Sequence, residues 1–292
     1  MNSLTVVKRA HILSLLVEGN SLRSCSRIAD VSINTVTKLL VDVGTACADF
    51  QDKALRNLPC KRVQCDEVWT FCYSKQKNVP DNMQGVFGYG DVWTWTAICA
   101  DTKLIAAWMV GARDGDAARA FIGDLAPRLA NRIQLTTDGH KVYLDAVEEA
   151  FAWEVDYAML VKQYGEGAAS PDRKYSPSEY VGAKKIKITG NPSKADVSTS
   201  YVERQNLTMR MSMRRFTRLT NGFSKKVENH MHAVALHFMY YNFGRIHKSL
   251  RVTPAMEAGV ATHVWTLEQI AGLVPAPVAA KRGSYKKTQA TV

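Results

Sequence analysis

Asp66, Asp138 and Glu203 are the residues whose type and setting call for chemistry. Asp66 interrupts an apolar, strand-like run, KRVQCDEVWTFCY. A carboxylate buried in such a run is expensive without a partner or a metal. Asp138 stands before Gly139, which lets the chain turn tightly at a strand end. Glu203 opens the helical stretch TSYVERQNLTMRMSMRR. Three carboxylates brought together repel one another unless a cation neutralises them. Hard oxygen ligands with no nearby imidazole favour Mg²⁺ or Mn²⁺ over Zn²⁺. A pair of such ions suits in-line attack on phosphate. Each residue also has a plainer reading. Ser200 to Glu203 fits a capping box, in which Glu203 only satisfies the Ser200 N–H. Glu67 rivals Asp66, but neighbours on a strand face opposite ways, so only one of them is expected to face the site. Asp114 and Asp116 open a helix and are accounted for by its dipole. His140 reads as a surface histidine.

Basic residues surround these carboxylates. Arg210 and Arg214 follow Glu203 by seven and eleven residues, on one face if the helix continues. Lys185 and Lys187 alternate with Ile186 and Ile188 in the long loop 163–200, a short strand with one basic face that reads as part of a DNA-contacting flap. The chain of 292 residues carries a net charge of +11. Residues 201–292 alone hold 14 basic and 4 acidic side chains, whereas residues 61–150 hold 10 and 12. This distribution excludes a neutral metabolic enzyme and points to a polyanionic partner. No apolar run is long enough for a membrane span, and no signal peptide is expected. Cys60, Cys65 and Cys72 are poorly spaced for zinc and read as buried thiols.

The elements that position these groups follow from periodicity. Three short helices precede residue 44. In the second, Leu22, Cys25 and Ile28 share a face; in the third, Ile33, Val36, Leu39 and Leu40 face inward. The segment ADVSINTVTKLL resembles the turn and recognition helix of helix-turn-helix proteins, with Asn34, Thr35 and Lys38 directed at base edges and phosphate. Residues 44–60 read as a linker. Strands follow at 61–73, 92–100 and 104–110, then a helix at 114–130 interrupted at Pro127. A strand at 132–137, a helix around Tyr143 to Ala150 and a strand from Trp153 to Val161 complete the centre. A helix over 224–243 buries Val227, Met231, Val234, Ala235, Phe238 and Met239. The tail after Val274 reads as disordered. Three antiparallel strands followed by alternating helices and strands predict a mixed five-stranded sheet with flanking helices, the order of the ribonuclease H-like α/β fold. The first and fourth strands would be central neighbours, bringing Asp66 and Asp138 together at their carboxyl ends. The domains expected are 1–58 (helix-turn-helix and linker), 59–245 (catalytic) and 246–292 (helical extension and basic tail).

The blocks QCDEVWTF, LTTDGHKVY and STSYVERQNLTMRMSMRRFTRLTNGFSKK resemble the catalytic blocks of DDE transposases, most closely the insertion sequence one family. YYNFGRIHKSLRVTPAMEAGV is similar to the closing region of that group. The resemblance spans roughly residues 20–272. It implies that Asp66, Asp138 and Glu203 form a metal-binding triad holding two Mg²⁺ or Mn²⁺ ions, with Arg210 as the basic residue two turns beyond the glutamate. It further implies cleavage and strand transfer at element ends, and a homo-oligomer on double-stranded DNA, both terminal repeats and target. No membrane or small-molecule substrate is expected, and the location would be cytoplasmic, with DNA. Two other functions fit the same residues: a metal-dependent nuclease or resolvase, and a non-catalytic helix-turn-helix repressor.

Overall fold

The structure, a computed structural model, describes residues 4–165, 180–217 and 220–275. Three helices come first: α1 (Val6–Val17), α2 (Leu22–Ile28) and α3 (Ile33–Ala54). Thr5, Ser21 and Ser32 cap them, each hydroxyl accepting a backbone N–H of the first turn at 3.1–3.2 Å. Helix α3 does not stop at residue 44; it runs through most of the expected linker. Val43, Cys47 and Gln51 continue its buried stripe at four-residue spacing, and no strong breaker intervenes. Cys25 and Ala29 are fully buried, whereas Ile28 and Ile33, expected inward, are 57% and 39% exposed. The tight turn at Asp30, with φ 48°, carries these two side chains away from the bundle.

The sheet contains β1 (Arg62–Cys72), β2 (Gly90–Cys99), β3 (Ile105–Gly111), β4 (Ile133–Asp138), β5 (Val155–Tyr164) and β6 (Tyr180–Thr189), in the order β3-β2-β1-β4-β5-β6. Six strands therefore replace the expected five. Strand β6 pairs antiparallel with β5 and contains the lysine–isoleucine alternation read from sequence as a short strand within a loop. Its lysines lie on an edge strand, where charge discourages pairing with other chains. Residues 166–179 of the expected flap lie outside the described residues, as does the tail from residue 276. Strands β1 and β4 are parallel central neighbours. Strand β5 begins at Val155, and Trp153 stays 77% exposed because Ala152, with φ 49°, turns the chain just before it.

Helices α4 (Gly115–Leu125) and α5 (Val142–Phe151) lie on one face of the sheet, and α6 (Ser200–Ser212) and α7 (Val227–Met239) on the other. Pro127 sits in a 3-10 turn that ends α4. Met231 of α7, expected inward, is 38% exposed. Two short helices follow, α8 (Pro254–Glu257) and α9 (Leu267–Gly272). The first helices are not separated from the sheet by apolar-free space: Val36, Val43, Leu55 and Leu58 share a continuous core with Val63, Trp95 and Phe121. Leu58 exchanges backbone hydrogen bonds with Arg128 and Ala130 at 2.8 and 3.0 Å. The Asn242 amide bonds both backbone groups of Ile105, at 2.9 and 3.0 Å, and so covers part of the free edge of β3. All six cysteines are buried free thiols. Among the described residues no helix is long and apolar enough to cross a membrane.

Candidate active site

Pairing between β1 and β4 ends at Cys65 and Thr137. The next residues, Asp66 and Asp138, therefore stand where the two strands part. Asp66 faces α6: its Oδ2 accepts from Asn206 Nδ2 at 2.8 Å. Glu67 faces α4 and α5, yet its carboxylate still reaches the gap. Ligand oxygens of Asp66, Glu67 and Asp138 lie within 4.8 Å of one another. The expectation that only one of the adjacent pair can face the site is thus corrected. Strand alternation sets the two side chains on opposite faces, but at a place where the strands separate both faces reach the same opening.

Glu203 is brought in by α6. Gln64, on the same face of β1 as Asp66, accepts the Tyr201 and Val202 N–H groups at 2.9 and 3.2 Å. This anchors the start of α6 beside the strand. The capping box is absent: the Ser200 N–H donates to Ser198 Oγ. The Glu203 carboxylate instead accepts from the Thr199 hydroxyl and pairs with Lys162 Nζ at 2.7 Å. It contributes to raising the Asp66 pKa, so it lies within electrostatic reach, although it stands outside the tightest group of three.

Burial, then the neighbouring Asp138 and Glu67, push Asp66 up from the ordinary carboxylate range to about 7. Burial and Asp138 push Glu67 up to about 7 as well. Arg113 is the counter-charge on that side. Its guanidinium lies 3.4 Å from Glu67 and 3.9 Å from Asp138 and packs over the Trp93 ring at 4.6 Å. The Tyr143 hydroxyl lies against the Glu67 carboxylate, and the Asn206 Oδ1 atom is buried without a hydrogen-bond partner. His140 is half-buried rather than at the surface: its backbone N–H donates to Asp138 Oδ1 at 3.0 Å, and burial followed by Arg113 lowers the pKa of its ring. An imidazole is therefore nearby, contrary to the sequence expectation, but its nitrogens are not in the group of converging ligand atoms. Three carboxylates whose oxygens converge, two of them buried enough to raise their pKa values, suit a hard divalent cation such as Mg²⁺ or Mn²⁺.

A pH dependence follows. A carboxylate whose pKa rises on folding favours the folded state least when it is ionised. The stability available below about pH 4 is lost as pH climbs through about 7. Metal binding removes that cost and expels the protons. The expected result is that Mg²⁺ raises Tm more at about pH 8 than at about pH 5, and that Asp66→Asn abolishes the rise. Equal Mg²⁺ shifts at both pH values, persisting in the variant, would contradict a site at these carboxylates. Scanning fluorimetry with Mg²⁺ or a chelator reads it.

The other candidates are scattered. Arg210 is half-buried on α6. Arg214 does not continue its face, because Met213 is extended (φ −125°, ψ 112°) and Arg214 falls in a 3-10 turn. Lys185 and Lys187 are exposed on β6, and their ammonium groups contact Lys194 O (2.7 Å) and Asn191 Oδ1 (3.5 Å). Asn34 and Lys38 are exposed on α3 and Thr35 is half-buried; Lys38 pairs with Asp42 at 2.5 Å. Asp114 caps α4, its Oδ1 accepting the Ala117 N–H at 2.9 Å. Asp116, in the first turn of α4, pairs with Arg119 at 3.3 Å. Gln64, Arg113, Lys162 and Asn206 were not singled out as site residues from sequence, and Glu67 was weighed only as the rival of Asp66. Only Asn206 had a usable signal, since it lies one turn beyond Glu203.

No protein-family model matches the sequence, and no curated protein does. Among solved structures, the chain is similar to a Mos1 transposase paired-end complex with left transposon end, at 12% identity and TM-score 0.23, covering 53% of this chain and 60% of that one. It is also similar to a piggyBac transposase synaptic complex with hairpin DNA, at 12% identity and TM-score 0.40, covering 94% and 73%. A Mos1 strand transfer complex gives 12% and 0.23, covering 81% and 78%. The chain thus spans under two thirds of the first of these. Superpositions this loose say nothing about chemistry, which rests on the residues themselves.

Proposed function

We propose that the chain is a DDE-type transposase of the insertion sequence one group, a DNA endonuclease and strand-transferase acting at element ends. One observation supports the reading: the carboxylates of Asp66, Glu67 and Asp138 converge where the two central strands part, with Glu203 on α6 within electrostatic reach. Mg²⁺ or Mn²⁺ bound there would supply activation of water or a 3′-hydroxyl and stabilisation of the leaving oxygen. The chain's own residues do the rest. Gln64 and Asn206 fix Glu203 and Asp66, and Arg113 holds Asp138 and Glu67 in place. Residues 1–58 read the terminal repeats through Asn34, Thr35 and Lys38, while Lys185, Lys187 and Arg214 take phosphates. These assignments make the partner double-stranded DNA, bound by a homo-oligomer. The test is incubation with the DNA flanking the gene and Mg²⁺, scoring 3′-end nicks and joined products. Nicks without joining, at any sequence, would favour a nuclease; binding without nicking would favour a repressor.

Arg210 lies about 10 Å along the helix from Glu203, one phosphate away from the scissile one. Its planar fork can grip two phosphate oxygens, which lysine cannot. Arg210→Ala is expected to cut single-turnover cleavage roughly a hundredfold with Mg²⁺ affinity unchanged, and Arg210→Lys to recover part of it. Wild-type rates for Arg210→Ala at saturating Mg²⁺ would end the phosphate-clamp role.

A further inference from the structure

A cleft of about 850 Å³ opens between the N-terminal helices and the segment that joins α6 to α7. Its two walls touch at Gly19, where a Cβ would sit 3.3 Å from the Ser212 backbone. Among the described residues four cations line it, Arg23, Arg214, Arg215 and Lys225, and no described lining residue is an Asp or Glu. The sequence from 204 to 227 contains no acidic residue at all. Arg215 is the informative member. It is half-buried, and its guanidinium donates to Ser224 Oγ at 2.5 Å. Among the described residues no salt bridge to a carboxylate is found for it, and burial lowers its pKa to about 10. A desolvated cation without a counter-charge is costly unless an anion is supplied from outside. The cleft wall is also tied to the strand that carries Asp66. Thr70 Oγ1 donates to Arg215 O at 3.1 Å, and Tyr73 N–H donates to Ser224 O at 2.8 Å. Ser212, on the cleft wall, lies nine residues beyond Glu203, about 13 Å along the α6 axis.

We infer that this cleft is a second nucleic-acid site, in which Arg23, Arg214, Arg215 and Lys225 hold the phosphates of a single DNA strand leaving the carboxylate centre along α6. The inference rests on the proposed transposase reading. A single strand is favoured over a duplex because the volume is that of a small-ligand pocket. A strand of phosphates is favoured over an acidic peptide because the cations are spread along both walls of one cleft that begins at the end of the helix bearing Glu203.

The test uses the full chain and a labelled thymidine oligonucleotide, with anisotropy read across a salt series. Arg23 and Lys225 are both exposed, so the double variant Arg23→Ser, Lys225→Ser keeps the fold, checked by its melting temperature. It is expected to bind the oligonucleotide about tenfold more weakly, with the log–log salt slope reduced by about 1.4 for two lost contacts. Lys248→Ser, an exposed lysine elsewhere, is the control and should change neither. If the double variant matches the control while the wild type binds and nicks DNA, the cleft assignment is overturned and the transposase reading stands. If the wild type binds neither single strand nor duplex, both fall. If polyglutamate displaces the probe as well as unlabelled oligonucleotide does, the cleft is an acidic-peptide site and the inference is wrong.

Discussion

Replacing Asp66 or Asp138 by asparagine, or Glu203 by glutamine, is expected to lower Mg²⁺-dependent cleavage of element-end DNA by about a thousandfold or more, the rate equivalent of several kcal/mol of transition-state charge stabilisation. DNA affinity should stay within a few-fold of the wild type, because phosphate contacts dominate affinity and these carboxylates make none. Glu67→Gln tests the structure's addition to the triad. Its carboxylate is almost fully buried and shares Arg113 with Asp138. Neutralising it removes repulsion from the cluster and frees Arg113 to pair more closely with Asp138. Mg²⁺ affinity should therefore fall by roughly tenfold to a hundredfold, the range for a group that orients metal ligands, with part of the cleavage rate recovered at high Mg²⁺. Titration calorimetry with Mg²⁺ and single-turnover cleavage separate the two classes. Rate loss in Glu203→Gln that is fully rescued by added Mg²⁺ would place Glu203 outside the reacting centre. Unchanged Mg²⁺ affinity in Glu67→Gln would make it a structural neighbour only.

Gly44→Ala is expected to destabilise the protein, against its helix propensity. In an isolated helix alanine is better than glycine by about 1 kcal/mol. Here the new Cβ would lie 2.5 Å from His232 Cβ and 2.7 Å from both its Cα and its carbonyl oxygen. The obstacle is the backbone of α7, so no rotamer change relieves it. Overpacking of this kind costs about 1–3 kcal/mol or more, and in a chain of this length each kcal/mol lowers Tm by about 2–4 °C. Thermal unfolding of Gly44→Ala should show a Tm several degrees below the wild type. Gly123→Ala, on α4, is the comparison, because a Cβ there meets nothing within 4 Å. That variant should be neutral or slightly stabilised. A rise in Tm for Gly44→Ala would mean that α3 and α7 are not in contact at this crossing.

Gly44 marks the boundary between what the sequence determines and what it leaves open. Read alone, it suggested the start of a linker, since a glycine in a helical pattern weakens the case for helix. Its role depends on a helix almost two hundred residues away. The strand alternation around Asp66, the hairpin of β2 and β3, the helix start at Asp114 and the break at Pro127 were all legible, because each rests on local periodicity or turn chemistry. The same is true of the central pairing of β1 with β4, which follows from the order of elements. The alternation of Lys185 and Lys187 with Ile186 and Ile188 marked a short strand, but its full extent and its place as a sixth strand of the sheet were not legible, because they depend on pairing with β5. The exposure of Ile28 and Ile33 was likewise set by where the turn at Asp30 points.

At the site, residue type and setting marked Asp66 and Asp138 as candidates, because ionisable groups in apolar or glycine-terminated settings need an explanation; Glu203 by itself read as a capping residue, and the arginines after it and the family resemblance raised it. Their surroundings came from the tertiary structure. Gln64 and Asn206 are polar residues without a distinctive pattern, and they matter because α6 lands on β1. The alternation rule left room for only one of Asp66 and Glu67, and the family resemblance favoured Asp66; that rule holds along a paired strand, whereas the parting of β1 from β4 is a property of the sheet and lets side chains from opposite faces meet. Arg214 changed partners for a similar reason: seven residues of helical spacing place Arg210, but the extended Met213 ends the helix and turns Arg214 into the cleft. Local spacing determined which side chains could act. Long-range packing decided which of them meet, because contacts between distant segments leave no trace in local periodicity.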